Sequence, residues 1–159
     1  MVKSVRSSRG SSSDNKVVKS KAVITGLWML KSEPWDISWK RLVDEQDVQW
    51  DNVRNFQANN YMKAMQQGDL CLFYHSVEDK TVFGVAQVLK TWQPDPKDVR
   101  FGVLRIGPVK ALSRPVTLAD LKKEPQLKEL QFLRQVRLSV CIVSKSEWQT
   151  ILDLGNTCL

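Results

Sequence analysis

Hydrophobic residues open the folded part of the chain with a run from residue 22 to residue 31, and Pro34 follows shortly after it. This run predicts a β-strand that stops before the proline, because a proline pushes the residue preceding it towards extended geometry. Between residues 58 and 65 the apolar residues instead recur every three to four positions. That spacing predicts a helix with one buried face, which begins at Asn55 or Phe56.

Strand patterns dominate the second half of the chain. Residues 70–75 and 82–89 are rich in apolar residues, and Gly84 marks an expected bulge or a close approach of another element. The remaining patterns predict a short helix after Ser38, strands at 101–106 and 137–143, and helices at 118–123, 127–133 and 147–154. This order argues against a doubly wound parallel sheet. We expect an α+β domain whose mixed, strongly twisted sheet curls into a small β-barrel with flanking short helices.

Most of the positive charge lies in the first 22 residues. This segment holds six cations, one acid and seven serines, so it carries +5 of the net charge of +7. It has no apolar run and no periodicity, which predicts a disordered basic tail (1–22) before a single, nearly neutral domain (23–159). Three roles fit such a tail: a solvated extension, a basic arm that binds nucleic acid or directs nuclear import, and an organelle transit segment.

Cysteine and histidine are scarce. Cys71, Cys141 and Cys158 form no C-x-x-C pair, and His75 is the one histidine. These counts predict no disulfide framework and no metal site, and they favour a reducing compartment. We also expect no cofactor. No apolar run is long enough to span a membrane, and we find no secretory leader. We therefore expect no membrane partner, and we separately expect a monomer.

Two tryptophan-bearing segments combine aromatic and polar residues at loop signals. Trp28 precedes Lys31, Ser32 and Glu33 at a predicted strand end, and Trp50 precedes a polar stretch before a predicted helix. A pocket that stacks a flat ring and bonds its edge needs this mixture. We expect the base-binding pocket to contain these residues and polar residues from other strand ends, namely Trp28, Lys31, Ser32, Glu33, Trp50, Val53, Arg54, Asn55, Tyr74, His75, Ser76 and Ser139.

Arg54 and Glu33 complement the pairing edge of cytosine, which presents two acceptors and one donor. Arginine offers a rigid fork of donors and a carboxylate accepts. An alternative interpretation places the tryptophans in the core and pairs Arg54 with Glu33 or Asp51 in a structural ion pair. Lys31, Arg54 and Arg137 are the candidates for contacts with a nucleic-acid backbone.

A catalytic role would depend on His75 and a nearby nucleophile. Ser76 is adjacent in sequence, so in a strand its side chain points to the opposite face. Neither Ser32 nor Ser139 lies in a nucleophile-elbow motif. We therefore expect a binding protein, and a nucleotide hydrolase that uses His75 is the alternative.

Four segments resemble the EVE-domain family, in the same order along the chain. Residues 28–34 (WMLKSEP) resemble its W-x-x-K-S-E-P opening, and residues 50–58 (WDNVRNFQA) resemble its W-D-G-V-R-N-Y/F-Q-A segment. Residues 68–76 resemble its G-D…Y-H-S run, and residues 114–118 with 137–140 are similar to its C-terminal landmarks. The likeness covers nearly the whole of the predicted domain.

The resemblance implies a PUA-like fold and a non-enzymatic reader of a modified base, above all modified cytosine in DNA. An RNA-binding module for a modified ribonucleotide is the first alternative, and a pure protein-interaction domain is another. It also implies a nuclear location in a eukaryote and a cytoplasmic one otherwise, with organelle targeting by the tail as a further option. Asn52 stands where the family usually has glycine, which is tolerable because asparagine also enters left-handed conformations.

Overall fold

The computed structural model describes residues 24–159, so the predicted tail at 1–22 lies outside the described residues. The strands are β1 (Leu27–Ser32), β2 (Val48–Trp50), β3 (Leu70–His75), β4 (Thr81–Asp95), β5 (Asp98–Thr117) and β6 (Val140–Ile142). The helices are α1 (Trp39–Glu45), α2 (Phe56–Ala64), α3 (Leu118–Lys123), α4 (Gln131–Arg134) and α5 (Lys145–Leu154), with a 3-10 turn at Pro125–Leu127.

The six strands form one mixed sheet in the order β2-β5-β4-β3-β1-β6. β1 and β3 run parallel, and the other neighbouring pairs are antiparallel. The predicted α+β class is therefore confirmed. The predicted closure into a barrel is wrong, because β2 and β6 are left as two separate edges in the sheet that residues 24–159 form. Each edge strand has only three residues, so neither offers a long ladder for closure.

The curvature of the sheet comes from the long β4–β5 hairpin. The register between these strands shifts at five places, and each such irregularity bends the strand and increases its twist. One shift confirms the bulge predicted at Gly84. A Cβ atom at this position would lie 2.4 Å from the ring of Trp39, so the missing side chain lets α1 approach the sheet closely.

The other predicted elements differ from the structure mainly in length. β3 has the predicted bounds, whereas β4 and β5 run well past 82–89 and 101–106. β4 continues beyond residue 89 with mostly exposed residues, and β5 continues beyond residue 106 by pairing 107–117 with 81–87 of β4. The pattern misses β2, since three residues are too few to show a period of two. The helix predicted at 127–133 is instead the 3-10 turn followed by α4, and the strand predicted at 137–143 shortens to β6.

Side-chain caps determine where the helices begin. Ser38 Oγ accepts a hydrogen bond from the third residue of α1, and Asn55 caps α2 in the same way. Capping boxes start α3 at Thr117 and α5 at Ser144. These caps confirm the predicted starts of α1, α2 and α3, whereas α5 begins two residues before the predicted position 147. The caps also define the ends of the loops before α1 and α2.

The core lies on both faces of β1. Residues 28–30 are fully buried. Because successive side chains of a strand point to opposite faces, both faces of β1 must be covered. On one face, Tyr61 of α2 lies 5.8 Å from the ring of Trp28. On the other, Lys31 reaches Phe132 of α4. No helix in the described part of the chain is long and apolar enough to cross a membrane.

Candidate functional site

A pocket of about 410 Å³ opens at the Ser32 end of β1. The loop between β1 and α1, the loop between β2 and α2, and the residue before β6 form its walls. We call it the tryptophan pocket, and it is lined by Lys31, Ser32, Glu33, Trp35, Asp36, Trp50, Asp51, Asn52, Val53 and Ser139. Its volume lies in the range of about 300–1,000 Å³ that is typical of small-ligand sites.

A tight turn after β1 carries the exposed tryptophan of this pocket. The backbone N–H groups of Asp36 and Ile37 donate to the carbonyl of Glu33 at 2.9 and 3.2 Å. Ser32 Oγ donates to the carbonyl of Ile37 at 2.7 Å. These bonds fold the loop back on itself and leave Trp35 65% exposed. An aromatic ring with this exposure at the rim of a pocket is free to stack on a flat ligand.

Trp50 forms a buried wall of the pocket. It is 4% exposed, and its ring meets that of Phe73 edge-on, with 6.4 Å between centroids. Its indole N–H is buried and has no hydrogen-bond partner among residues 24–159, which costs about 1–3 kcal/mol. Asn52, in the same loop, has a φ of 63°, the left-handed conformation that the sequence analysis expects to be tolerable there.

Charge in the tryptophan pocket is unbalanced. Three carboxylates line it, those of Glu33, Asp36 and Asp51, against the single ammonium group of Lys31. Lys31 Nζ donates to the carbonyl of Val136, and burial lowers the pKa of this lysine. The pocket therefore disfavours a phosphate group and offers acceptors to the N–H groups of a ligand.

Six sequence-predicted residues meet in the tryptophan pocket: Lys31, Ser32, Glu33, Trp50, Val53 and Ser139. Four further residues that were not predicted also line this pocket: Trp35, Asp36, Asp51 and Asn52. One signal could have identified Trp35, namely its place directly after Pro34 in a polar stretch, where a buried tryptophan is not expected.

The prediction that Trp28 belongs to the pocket is wrong. Trp28 is fully buried, and its indole N–H donates to Asp69 Oδ2 at 3.0 Å. It precedes Ser32 by four strand residues, a distance of about 13 Å at the rise of a β-strand. The family motif brings the two residues close in sequence, but the straight course of β1 carries Trp28 into the core.

Arg54 and Asn55 do not line the tryptophan pocket either. Arg54 forms an ion pair with Asp95 at 3.0 Å and donates to the carbonyl of Val53 at 3.0 Å. The alternative interpretation, a structural ion pair of Arg54, thus predicted the correct type of interaction, but with Glu33 or Asp51 as the partner instead of Asp95. A hydrogen bond from the backbone N–H of Lys97 and the nearby Arg54 lower the pKa of Asp95. Asn55 Oδ1 is occupied as the cap of α2.

Tyr74 and Ser76 line a different cleft, and His75 is held by structural bonds. His75 Nε2 accepts from the backbone N–H of Trp39 at 2.8 Å, and Nδ1 lies 3.0 Å from Asp79 Oδ2. Since Nε2 is an acceptor, Nδ1 carries the proton and donates to the carboxylate. With both nitrogens occupied and only 6% of the residue exposed, His75 is not placed to act as a general base.

Arg137 lies beside a shallow depression of about 280 Å³ that it shares with Asn55, Gln57, Gln135, Val136 and Leu138. It is exposed, and it forms no ion pair with any residue from 24 to 159. Over the same residues, no group of three histidine, cysteine or acidic side chains could hold a metal ion.

Known proteins are similar to this chain in sequence and in fold. The profile of the EVE domain matches residues 26–154. Thymocyte nuclear protein 1 of Mus musculus is 26% identical over an alignment 170 positions long, gaps included, and the match covers 84% of this chain and 75% of the mouse protein. Its counterpart in Danio rerio is 27% identical over 165 aligned positions, with 81% of this chain and 71% of the fish protein covered.

Two solved structures show the same architecture. A protein of Rhodopseudomonas palustris solved by NMR is 37% identical with a TM-score of 0.79, covering 83% of this chain and 94% of its own. The human THYN1 protein, crystallised in complex with DNA that contains 5-methylcytosine, is 24% identical with a TM-score of 0.75, covering 84% and 99%. The family profile spans nearly the whole described region, and this chain therefore belongs to the EVE-domain family.

Proposed function

We propose that the tryptophan pocket holds one modified cytosine that has been turned out of a DNA strand. The observation that carries this proposal is the exposed ring of Trp35 beside the buried, unpartnered N–H of Trp50. A protein that grips a single extruded base needs a flat aromatic surface and polar groups that are free to bond the edge of the base.

Stacking on Trp35 supplies part of the binding energy. Turning a base out of a duplex costs a few kcal/mol, and less where the base is unpaired. Stacking on an aromatic side chain returns about 1–3 kcal/mol per base. Because these two terms nearly balance, hydrogen bonds to the edge of the base decide which base remains in the pocket.

The polar groups of the pocket suit the edge of cytosine. Its exocyclic amine can donate to the carboxylates of Glu33, Asp36 or Asp51, none of which is in an ion pair within the described residues. Its ring nitrogen and carbonyl oxygen are acceptors, which the orphan N–H of Trp50 complements once the indole ring shifts towards the bound base, because this N–H is buried in the free protein. This match favours a base with both an amine and adjacent acceptors over one that lacks the amine.

A methyl group at C5 finds an apolar surface in the same pocket. Val53 and Trp50 both line the pocket, and both are almost fully buried. A methyl group placed against them leaves water, which is worth about 0.8 kcal/mol for each buried carbon group of this size. That energy is enough for a several-fold preference over unmodified cytosine.

The relatives support DNA as the ligand. The human THYN1 protein, with the same fold, binds DNA containing 5-methylcytosine, and the curated relatives are named nuclear proteins. We propose a nuclear location for this chain on the same basis. Arg137 is the best-placed cation for a backbone contact because it is exposed and unpaired in the described region. Lys31 and Arg54 remain proposed backbone contacts, although Val136 and Asp95 hold them.

A panel of short fluorescent oligonucleotides tests this function. We expect binding to a single-stranded DNA with one 5-methylcytosine or 5-hydroxymethylcytosine to be tighter than binding to the unmodified strand of the same sequence. A matched RNA series separates a DNA reader from an RNA reader, because only RNA carries the 2′-hydroxyl. Equal affinity for all strands, or turnover of nucleotides that is lost in His75→Ala, would contradict the proposal.

A further inference from the structure

A second cleft, of about 300 Å³, lies next to the tryptophan pocket. We call it the lysine cleft, and it is lined by Lys31, Tyr74, Ser76, Val77, Lys80, Leu118, Lys122, Phe132, Leu133 and Val136. Half of its lining residues are aliphatic or phenyl side chains, and three lysines line it without any carboxylate. Two of its valines, Val77 and Val136, are themselves exposed, so the cleft is open to solvent.

Tyr74 is the buried polar group of this cleft. The residue is 3% exposed, and its ring meets that of Phe132 edge-on at 4.6 Å between centroids. Its hydroxyl forms no hydrogen bond with any of residues 24–159 and, unlike the indole N–H of Trp50, is not fully shielded from solvent. Burial of the side chain raises the pKa of Tyr74 to about 12. The hydroxyl therefore keeps its proton at neutral pH and is a donor without an acceptor.

The lysine cleft and the tryptophan pocket have opposite charge but share a wall. Lys31 lines both, and the β1–β3 ladder pairs Lys31 with Tyr74 and Ser32 with His75. One cavity thus presents three carboxylates and the other three lysines within the same end of the sheet. A nucleotide has the same division, since its base is neutral and polar while its phosphate is an anion.

We infer that the lysine cleft is a second ligand site, which receives a phosphate ester together with the apolar or aromatic group next to it. This inference rests on the proposed function, with the phosphate supplied by the nucleotide that neighbours the held base. Tyr74 O–H, Lys80 and Lys122 donate to the phosphate oxygens, while Leu118 and Phe132 pack against the neighbouring sugar or ring.

The basic N-terminal segment of this chain is an unsuitable occupant of the lysine cleft because of its charge. The first 22 residues of this chain carry +5, so three lysines would repel them. The same repulsion does not apply to an anion. The phosphate ester can come from the flanking nucleotide of a strand or from a free mononucleotide, which has the same chemistry. Binding measurements with both kinds of ligand separate these two sources.

The experiment compares neighbouring lysines on one helix. Lys122 lines the cleft, whereas Lys123 is exposed on the same helix and does not. Binding is measured for the 5-methylcytosine nucleoside, for a single-stranded trinucleotide with 5-methylcytosine at its centre, and for free deoxyadenosine monophosphate. The variants are Lys122→Ala, Lys80→Ala and Tyr74→Phe, with Lys123→Ala as the control of equal charge.

We expect Lys122→Ala and Lys80→Ala each to reduce the salt dependence of trinucleotide binding by about 0.7 in the slope of log affinity against log salt. Tyr74→Phe should weaken trinucleotide binding about tenfold, since it removes one hydrogen bond to an anion. Affinity for the nucleoside should remain unchanged in all of them, and Lys123→Ala should match the wild type. Lysine-dependent binding of free deoxyadenosine monophosphate would support the site with a free nucleotide as its source.

The inference is overturned if Lys122→Ala and Lys123→Ala have equal salt slopes and Tyr74→Phe binds the trinucleotide as the wild type does. The wild type would in that case still prefer 5-methylcytosine, so the proposed function would stand. Loss of that preference in the wild type would contradict the proposed function itself. Far-UV circular dichroism checks that Tyr74→Phe, the one buried change, keeps its fold.

Discussion

The two ends of β1 carry the same kind of residue in opposite states. At the Leu27 end, Trp28 is fully buried and its indole N–H donates to Asp69. At the Ser32 end, Trp35 is 65% exposed, and Trp50 keeps a buried indole N–H without a partner in the described region. Three carboxylates that form no ion pair within residues 24–159 accompany this second group, those of Glu33, Asp36 and Asp51.

This difference shows where to look for function in the fold. Buried polar groups are nearly always hydrogen-bonded in native proteins, and the Trp28 end follows that rule. The Ser32 end departs from it, with an orphan donor, an exposed large ring and clustered like charges. Groups that the fold itself leaves unsatisfied are those that a ligand can satisfy.

The largest expected contrast is in stability. Trp28→Ala removes a fully buried ring and should lower the free energy of unfolding by about 3–5 kcal/mol. Trp35→Ala removes an exposed ring and should change it by less than about 0.5 kcal/mol. Urea denaturation of both variants measures the contrast, and comparable losses would show that Trp35 is part of the core.

A pair of matched substitutions isolates the indole N–H groups. Trp28→Phe and Trp50→Phe make the same change at two nearly fully buried positions, but only the first breaks a hydrogen bond, the one to Asp69. Trp28→Phe should therefore destabilise the protein by about 1.5–3 kcal/mol more, the value of a hydrogen bond to a charged group. Equal losses in urea denaturation would mean that Trp50 also has a partner in the free protein.

Trp35 should matter for binding where it does not matter for stability. Trp35→Ala should weaken binding to a 5-methylcytosine strand by about 5- to 150-fold, which corresponds to the stacking energy of one base. Trp35→Phe should restore most of this affinity because it keeps a flat ring. Fluorescence anisotropy measures both, and an unchanged affinity in Trp35→Ala would remove the stacking role.

The smallest expected effect is the pH dependence of stability from the Arg54–Asp95 ion pair. Like the Trp28 N–H, both of these groups have partners within the fold. The folded protein lowers the pKa of Asp95 relative to the unfolded value of about 3.9. The stability from this carboxylate is complete above that value and is lost as pH falls through the lower folded-state pKa. The difference between wild type and Asp95→Asn should thus be largest near neutral pH and shrink in acid.

Urea denaturation between pH 2 and pH 7 follows this trend, with Asp153→Asn as a control at an exposed carboxylate outside the pair. A difference that grows in acid would have the wrong sign for a lowered pKa. The stability difference between wild type and Arg54→Ala should depend on pH in the same way as that of Asp95→Asn. Arg54→Ala should also keep the discrimination between cytosine and 5-methylcytosine, because Arg54 does not line the tryptophan pocket.

Local signals in the sequence predict the fold well. The caps at Ser38, Asn55 and Thr117 and the bulge at Gly84 each depend on a few adjacent residues, and all of them are present. Barrel closure could not be predicted in this way. It depends on whether two three-residue edges meet, which no local pattern reports.

The site was predictable only in part, for a related reason. Glu33 and Trp50 lie at element ends, and that position brings them to one rim. Trp28 shares the motif with Glu33, but its burial and its hydrogen bond to Asp69 depend on residues that are distant in sequence. Arg54 likewise finds a partner 41 residues away, Asp95, at the tip of a hairpin. Residue type indicated the chemistry of the pocket, and tertiary packing selected which residues perform it.

The most direct measurement is a two-dimensional NMR spectrum of the indole N–H groups during titration with a 5-methylcytosine strand. The chain has six tryptophans, so six indole signals are expected, and single Trp→Phe variants assign them. The signals of Trp35 and Trp50 should move, whereas those of Trp28 and Trp92, bonded to Asp69 and Asn59, should remain in place. Saturable binding with Trp35 and Trp50 unmoved would contradict a base held in the tryptophan pocket.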